Sequence, residues 1–218
     1  WAVFLIGSID VIIAFLRVEE ISDIIFNDNL VKALKKPSFV CTFIHIPLVF
    51  ISLIIGYFSK TLGFTWLALM IVCAELIIVI TRFVFSYEQS FMGDLVRYWY
   101  AALFLFASAY TLFEDGHVRV DVFYSSLEEK TKSYINAFGS ILLGISTCFA
   151  IIFVGFNGKQ SIINSPILNF EITQTGSVGM FVKYQLAAFL GIFAISMIVQ
   201  FVSYYFSSLS KINEIKMG

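Results

Sequence analysis

Six long apolar runs, separated by short polar stretches, organise this chain of 218 residues. The first, Trp1–Leu16, falls short of the roughly 20 apolar residues that cross a bilayer. A mixed-charge stretch follows, from Arg17 to Pro37. Within it Ile21, Ile24, Ile25, Leu30, Val31 and Leu34 recur at roughly helical spacing, and Lys32, Lys35 and Lys36 crowd the end. That pattern predicts an amphipathic helix lying at a membrane surface. The second run, Phe39–Phe58, contains His45 and Pro47, and either spans or lies partly in the interface. Four stronger runs come next: Phe64–Phe85, broken by Glu75 and Arg82; Leu95–Phe113, with Arg97 near its start; and Ile135–Phe156 and Tyr184–Phe206, both without charge. At about 1.5 Å per residue, each is long enough to cross the hydrocarbon core. The pattern predicts an all-α integral membrane protein. Four core transmembrane helices, within residues 61–210, are preceded by one or two apolar or amphipathic helices in residues 1–60, partly interfacial or membrane-embedded. The runs are continuous, which excludes the alternating ten-residue segments of a β-barrel.

Composition supports the membrane reading. Hydrophobic residues make up 59% and charged residues 13% of the chain, where a soluble domain carries about 25% charge. Net charge is −1, so no basic field attracts nucleic acid. The first run carries Asp10 and lacks a basic leader and a small-residue cleavage site, which argues against a signal peptide. Cys41, Cys73 and Cys148 lie far apart inside apolar runs and read as buried, inert thiols.

Lys and Arg in short loops set orientation. Arg119, Lys130 and Lys132 lie between the fourth and fifth runs, and Lys211 and Lys216 follow the sixth. Lys60 and, further upstream, Lys32, Lys35 and Lys36 are assigned to the same side. The bias places the 114–134 loop and the C-terminus in the cytoplasm, and the 157–179 loop on the opposite side. Spanning by both early runs would put Lys32, Lys35 and Lys36 outside, against the rule. Ser140, Gly144 and Cys148 recur every four residues, as do Ala187 and Gly191, while Ala101 and Ala109 share a face. Small residues so spaced let helices approach closely in lipid.

Three features invite a chemical reading. Glu75 sits near the middle of its run, where an acid is costly unless it faces protein, is protonated or finds a donor. It reads as hydrogen-bonded glue between helices or subunits, or as a proton or ion relay. His45 and His117 are the two histidines. One lies in an apolar run and the other in a loop, unlike the paired axial ligands of a membrane haem, and neither has a second histidine at zinc spacing. Finally, His117, Arg119 and Asp121 alternate with Val118, Val120 and Val122. Histidine and carboxylate suggest acid–base work, but no nucleophile motif such as Gly-x-Ser-x-Gly accompanies them. Strict alternation favours a structured corner or a subunit contact.

The run Gly116-His117-Val118-Arg119-Val120-Asp121-Val122, after Ala109-Tyr110-Thr111-Leu112, resembles the signature of small permease subunits of tripartite ATP-independent periplasmic (TRAP) transporters, the DctQ type. Arg82-Phe83-Val84-Phe85 is similar to the Arg-Tyr-x-Phe ending that family's first core span, and Asp94 stands where the family usually has Glu. Glu171, Lys183 and Gln200 fall where longer members carry an acidic loop residue, a Lys at the head of the last span and a Gln within it. The resemblance covers roughly residues 60–206. Gly176-Ser177-Val178-Gly179 departs from the family's Gly-Gly-Leu-Pro, and residues 1–38 look like an extension.

The resemblance implies a non-enzymatic subunit of a sodium-coupled transporter of organic acids, often dicarboxylates, in a bacterial inner membrane. Its implied partners are a large permease (DctM type), which it scaffolds, a periplasmic substrate-binding protein (DctP type), which it helps to dock, and membrane lipids. No cofactor, metal or catalytic residue is implied. The competing readings are a membrane enzyme using His117 and Asp121 on the cytoplasmic face, a haem-binding electron carrier, and a self-sufficient transporter, for which the spans offer few polar groups.

Overall fold

The computed structural model describes residues 1–59, 63–114, 124–173 and 175–217, with side chains as far as 214. The chain is 82% helical and has no strand among the described residues. The long apolar runs form helices as their hydropathy predicts. The helices are α1 (Ala2–Val18), α2 (Ser22–Ile25), α3 (Asp28–Leu34), α4 (Pro37–Phe58), α5 (Phe64–Val84), α6 (Ser90–Phe113), α7 (Glu129–Phe156), α8 (Asn164–Asn169) and α9 (Lys183–Met217).

Four of them are long and apolar enough to cross a membrane: α4, α5, α7 and α9, the last over Lys183–Glu214. Their membership differs from the sequence expectation in one place. Helix α6 is long enough at 24 residues, but Asp94, Arg97 and several Tyr and Ser side chains dilute its apolar content, whereas α4 qualifies with a mean hydropathy of 2.4. The single amphipathic helix expected over 17–37 is two short helices. Phe26 and Asn27 adopt extended backbone between them, and Asn27 stands at the N-cap of α3, a position that favours Asn.

Two helices contain a wide turn. In α4 the turn spans Cys41–His45, two residues before Pro47. Proline has no N–H for the i−4 carbonyl and its ring crowds that carbonyl, so the preceding backbone opens. In α7 the wide turn is Ser140–Ile145.

The chain forms two compact units. Residues 1–104 and 163–188 make the first. Ile6, Ala14, Val40, Leu95, Tyr98 and Phe181 lie in its core. Trp1 donates its indole N–H to Ser59 O at 3.0 Å, and Trp99 donates to Val3 O at 3.3 Å. The first of these ties the start of α1 to the end of α4, so the two helices run antiparallel. Arg17, at the other end of α1, reaches Ser177 O. The 19–36 connection, with Lys32, Lys35 and Lys36, therefore lies at the end of this unit that carries Glu171 and Lys183, opposite to the sequence expectation. A polar weld between α1 and α4, described below, overrides the loop-charge preference.

Residues 105–162 and 189–218 form the second unit. Here the small-residue stripe behaves as expected. Ser140 and Cys148 are buried. At Gly144 a Cβ would stand 2.6–2.8 Å from three carbons of the Phe201 ring, so the ring packs against bare backbone. Cys73, on α5 of the first unit, departs from expectation: it is exposed, while Cys41 and Cys148 are buried.

Candidate functional site

Polar side chains of the first unit converge on the segment 163–183. Buried polar groups are costly unless they are paired, so these contacts fix the segment's shape. Asp94, on the first turns of α6, is 1% exposed. Its Oδ2 accepts from Thr173 Oγ1 at 2.7 Å, from Thr175 Oγ1, and from the Met180 backbone N–H at 3.1 Å. The two threonine hydroxyls also lie 2.6 Å apart. Arg97 Nη1 stands 3.8 Å from Oδ1, a loose ion pair beyond hydrogen-bond range. The backbone at Gly179 passes so close that a Cβ there would overlap Thr175 Oγ1 and Asp94 Oδ2.

Glu171 and Lys183 close the same segment. Lys183 Nζ lies 2.6 Å from Glu171 Oε2, and Ser165 Oγ donates to Glu171 Oε1 at 2.5 Å. The hydrogen bond from Lys183, then that from Ser165, hold the Glu171 carboxyl below the usual carboxylate range. From the N-terminal helix, Arg17 Nε donates to Ser177 O at 2.8 Å and Nη2 donates to Gly179 O. Its guanidinium also stacks 4.0 Å from the centroid of the Phe181 ring.

Beneath the segment lies a buried polar chain. Asp10 on α1 accepts the Phe181 backbone N–H at 2.8 Å through Oδ2. Its Oδ1 lies 3.3 Å from His45 Nε2. His45 Nδ1 is met by the Tyr184 hydroxyl and by Gln185 Nε2 at 2.9 Å, and Gln185 Oε1 accepts from the Tyr98 hydroxyl. With Nδ1 accepting, Nε2 carries the proton towards Asp10. Asp10 and His45 are 1% and 2% exposed. Both ring nitrogens of His45 are occupied within the protein, leaving neither free to bind an axial metal.

Asp94 and the Glu171–Lys183 pair thus hold different parts of one segment, which sequence order alone did not show. Arg82 lies apart in a loose, exposed pair with Glu88 at 3.8 Å. Glu75 is on an exposed face of α5. In the second unit Gln200 lines a cavity of about 400 Å³ with Lys132, Asn136, Ser203 and Lys211. Lys132 is paired there with Glu129 at 2.9 Å, and Asn136 donates to the Tyr124 hydroxyl at 2.8 Å. His117, Arg119 and Asp121 lie outside the described residues. Sequence reasoning missed Arg17, Thr173, Thr175 and the partnership of Asp10 with His45. The available signal was one carboxylate and one imidazole, each alone in an apolar run.

The geometry is that of a loop held at several points by side chains of its own unit. Residues 68–207 match the family model described as tripartite ATP-independent periplasmic transporters, DctQ component. Neither curated proteins nor solved structures give a match. The match runs over well more than half of the chain, including Asp94, Glu171, Lys183 and Gln200, and this chain belongs to the DctQ component family of TRAP transporters.

Proposed function

We propose that this chain is the small membrane subunit of a sodium-coupled TRAP-type transporter of organic acids in a bacterial inner membrane. It scaffolds a large DctM-type permease, and the segment 163–182 helps to dock a periplasmic DctP-type binding protein. The observation that carries the reading is the bracing of that segment by Asp94, Glu171 and Lys183, within the stretch that matches the family. A loop held in one shape loses little conformational freedom when a partner lands on it. The C-terminus is assigned to the cytoplasm from Lys130, Lys132, Lys211 and Lys216. Lys32, Lys35 and Lys36 do not support that assignment, given where α3 lies.

The test is co-expression with a candidate large permease of the DctM type and purification in mild detergent. The two chains are expected to migrate together. Independent migration, under conditions that keep another TRAP complex intact, would refute the reading.

A further inference from the structure

Helix α5 is nearly bare. Of its 21 residues, all described, Ala74 alone is buried, and 6% of its most apolar window is covered, against 17–22% for α4, α7 and α9. Apolar side chains facing lipid need no explanation. Glu75 does. It stands at the centre of the helix, is exposed, and meets no hydrogen-bond donor or cation among the described residues. A carboxylate at mid-depth facing lipid is unstable, and such groups turn towards protein or water.

We infer that the Glu75 face of α5 is the seat of a helix of the large permease, and that this helix presents a hydrogen-bond donor to Glu75 at mid-membrane depth. The inference rests on the proposed function for the identity of the partner, and adds which surface is used. Val72 and Val79, three and four residues from Glu75, share its face and are 63% and 48% exposed. They supply apolar contact on either side of the acid. Arg82 continues the stripe seven residues on, about 10 Å along the axis, too far to neutralise Glu75 itself.

Charge decides the occupant. A second copy of this chain, parallel in the same membrane and packed through this face, would set Glu75 against Glu75, where the ionised acids repel and only a protonated one could donate; it brings no donor of another kind. Lipid tails bring none either. A different membrane chain with Arg, Lys, Asn, Ser or Thr at that depth meets the requirement.

The experiment places a photo-crosslinking residue at Val72, Val79 or Ile77 in the co-expressed, co-purified complex. Ile77 is 48% exposed and lies on the opposite face of α5. Val72 and Val79 are expected to crosslink to the large permease at least tenfold more than Ile77. Alongside, Glu75→Leu is expected to lower permease retention on detergent dilution about tenfold while leaving the unfolding temperature of the isolated chain unchanged. Failure of the unaltered chains to co-purify would sink the proposed function itself. Co-purification with crosslinks confined to lipid, to this chain or to a second copy would overturn the inference and spare that function. So would unchanged retention of Glu75→Leu, or a lowered unfolding temperature of the chain alone, which would reveal an internal partner.

Discussion

Replacing Asp94 by Ala should loosen the 173–182 segment by an amount the structure lets one bound. Three donors converge on Asp94 Oδ2: two threonine hydroxyls and the Met180 amide. Naively, loss of three bonds to a charged acceptor would cost about 1.5–3 kcal/mol each. The hydroxyls, however, have fallbacks. Thr173 and Thr175 lie 2.6 Å apart and can bond one another, and Thr173 also reaches Met180 O at 3.3 Å. The Met180 amide has none, and Met180 is fully buried. The net loss is therefore close to that of one buried donor left unpaired, about 1–3 kcal/mol. Each 1.4 kcal/mol is tenfold, so the segment should open roughly 5- to 150-fold more often. Hydrogen exchange over 175–182 in detergent reads this directly. Asp94→Asn, which keeps an acceptor oxygen, should lose less. Exchange in Asp94→Ala within twofold of the unaltered protein would show that Asp94 does not brace the segment.

Two further outcomes follow from close geometry and from charge. Gly144→Ala should lower the unfolding temperature of the chain, at a cost of about 1–3 kcal/mol, because the Phe201 ring must move; Gly139→Ala, with nothing within 4 Å of its Cβ, should be neutral or slightly stabilising. Equal effects in thermal denaturation would refute the packing argument. For the Glu171–Lys183 tether, the carboxyl is held below its ordinary value by Lys183 and Ser165, so its contribution is full above about pH 4.3 and is lost only as pH falls through the lowered value. Between pH 8 and 5 the mobility of a spin label already attached near Ser165 should be insensitive to pH, rising below about pH 4. The pair is partly exposed, so the rise should be small; an increase already between pH 7 and 6 would contradict the assignment.

Helices and their order were legible because apolar runs longer than 16 residues leave few alternatives in a membrane. The seam at Ser140, Gly144 and Cys148 was legible for a similar reason, since small residues at i, i+4 mark where another helix comes close. What could not be read was partnership across the chain. Asp10 and His45 are 35 residues apart, and Asp94 and Met180 86 apart; nothing local pairs them. The course of residues 19–36 escaped for the opposite reason. Counting lysines gave a definite expectation, but that preference is weighed per loop, and here the antiparallel weld of α1 on α4 decides where the loop lies.

That weld also bears on what the family match leaves out. The match begins at residue 68, yet the segment 177–181 is held from below by groups upstream of it. Arg17 grips the carbonyls of Ser177 and Gly179, and Asp10 holds the Phe181 amide while bonded to His45. Asp94 approaches the same few residues from the matched stretch, through Met180. Adjacent amides, Met180 and Phe181, are thus anchored to carboxylates on different helices, one inside the family core and one outside it. The sequence Gly176-Ser177-Val178-Gly179, where the resemblance to the family breaks down, is the part that Arg17 contacts. Removing the N-terminal helices would strip two of the three braces and bare the buried side of the segment. An N-terminal extension of this kind is therefore not an appendage to the core. It supplies two of the contacts, from Arg17 and Asp10, that hold residues 177–181 beside the one from Asp94.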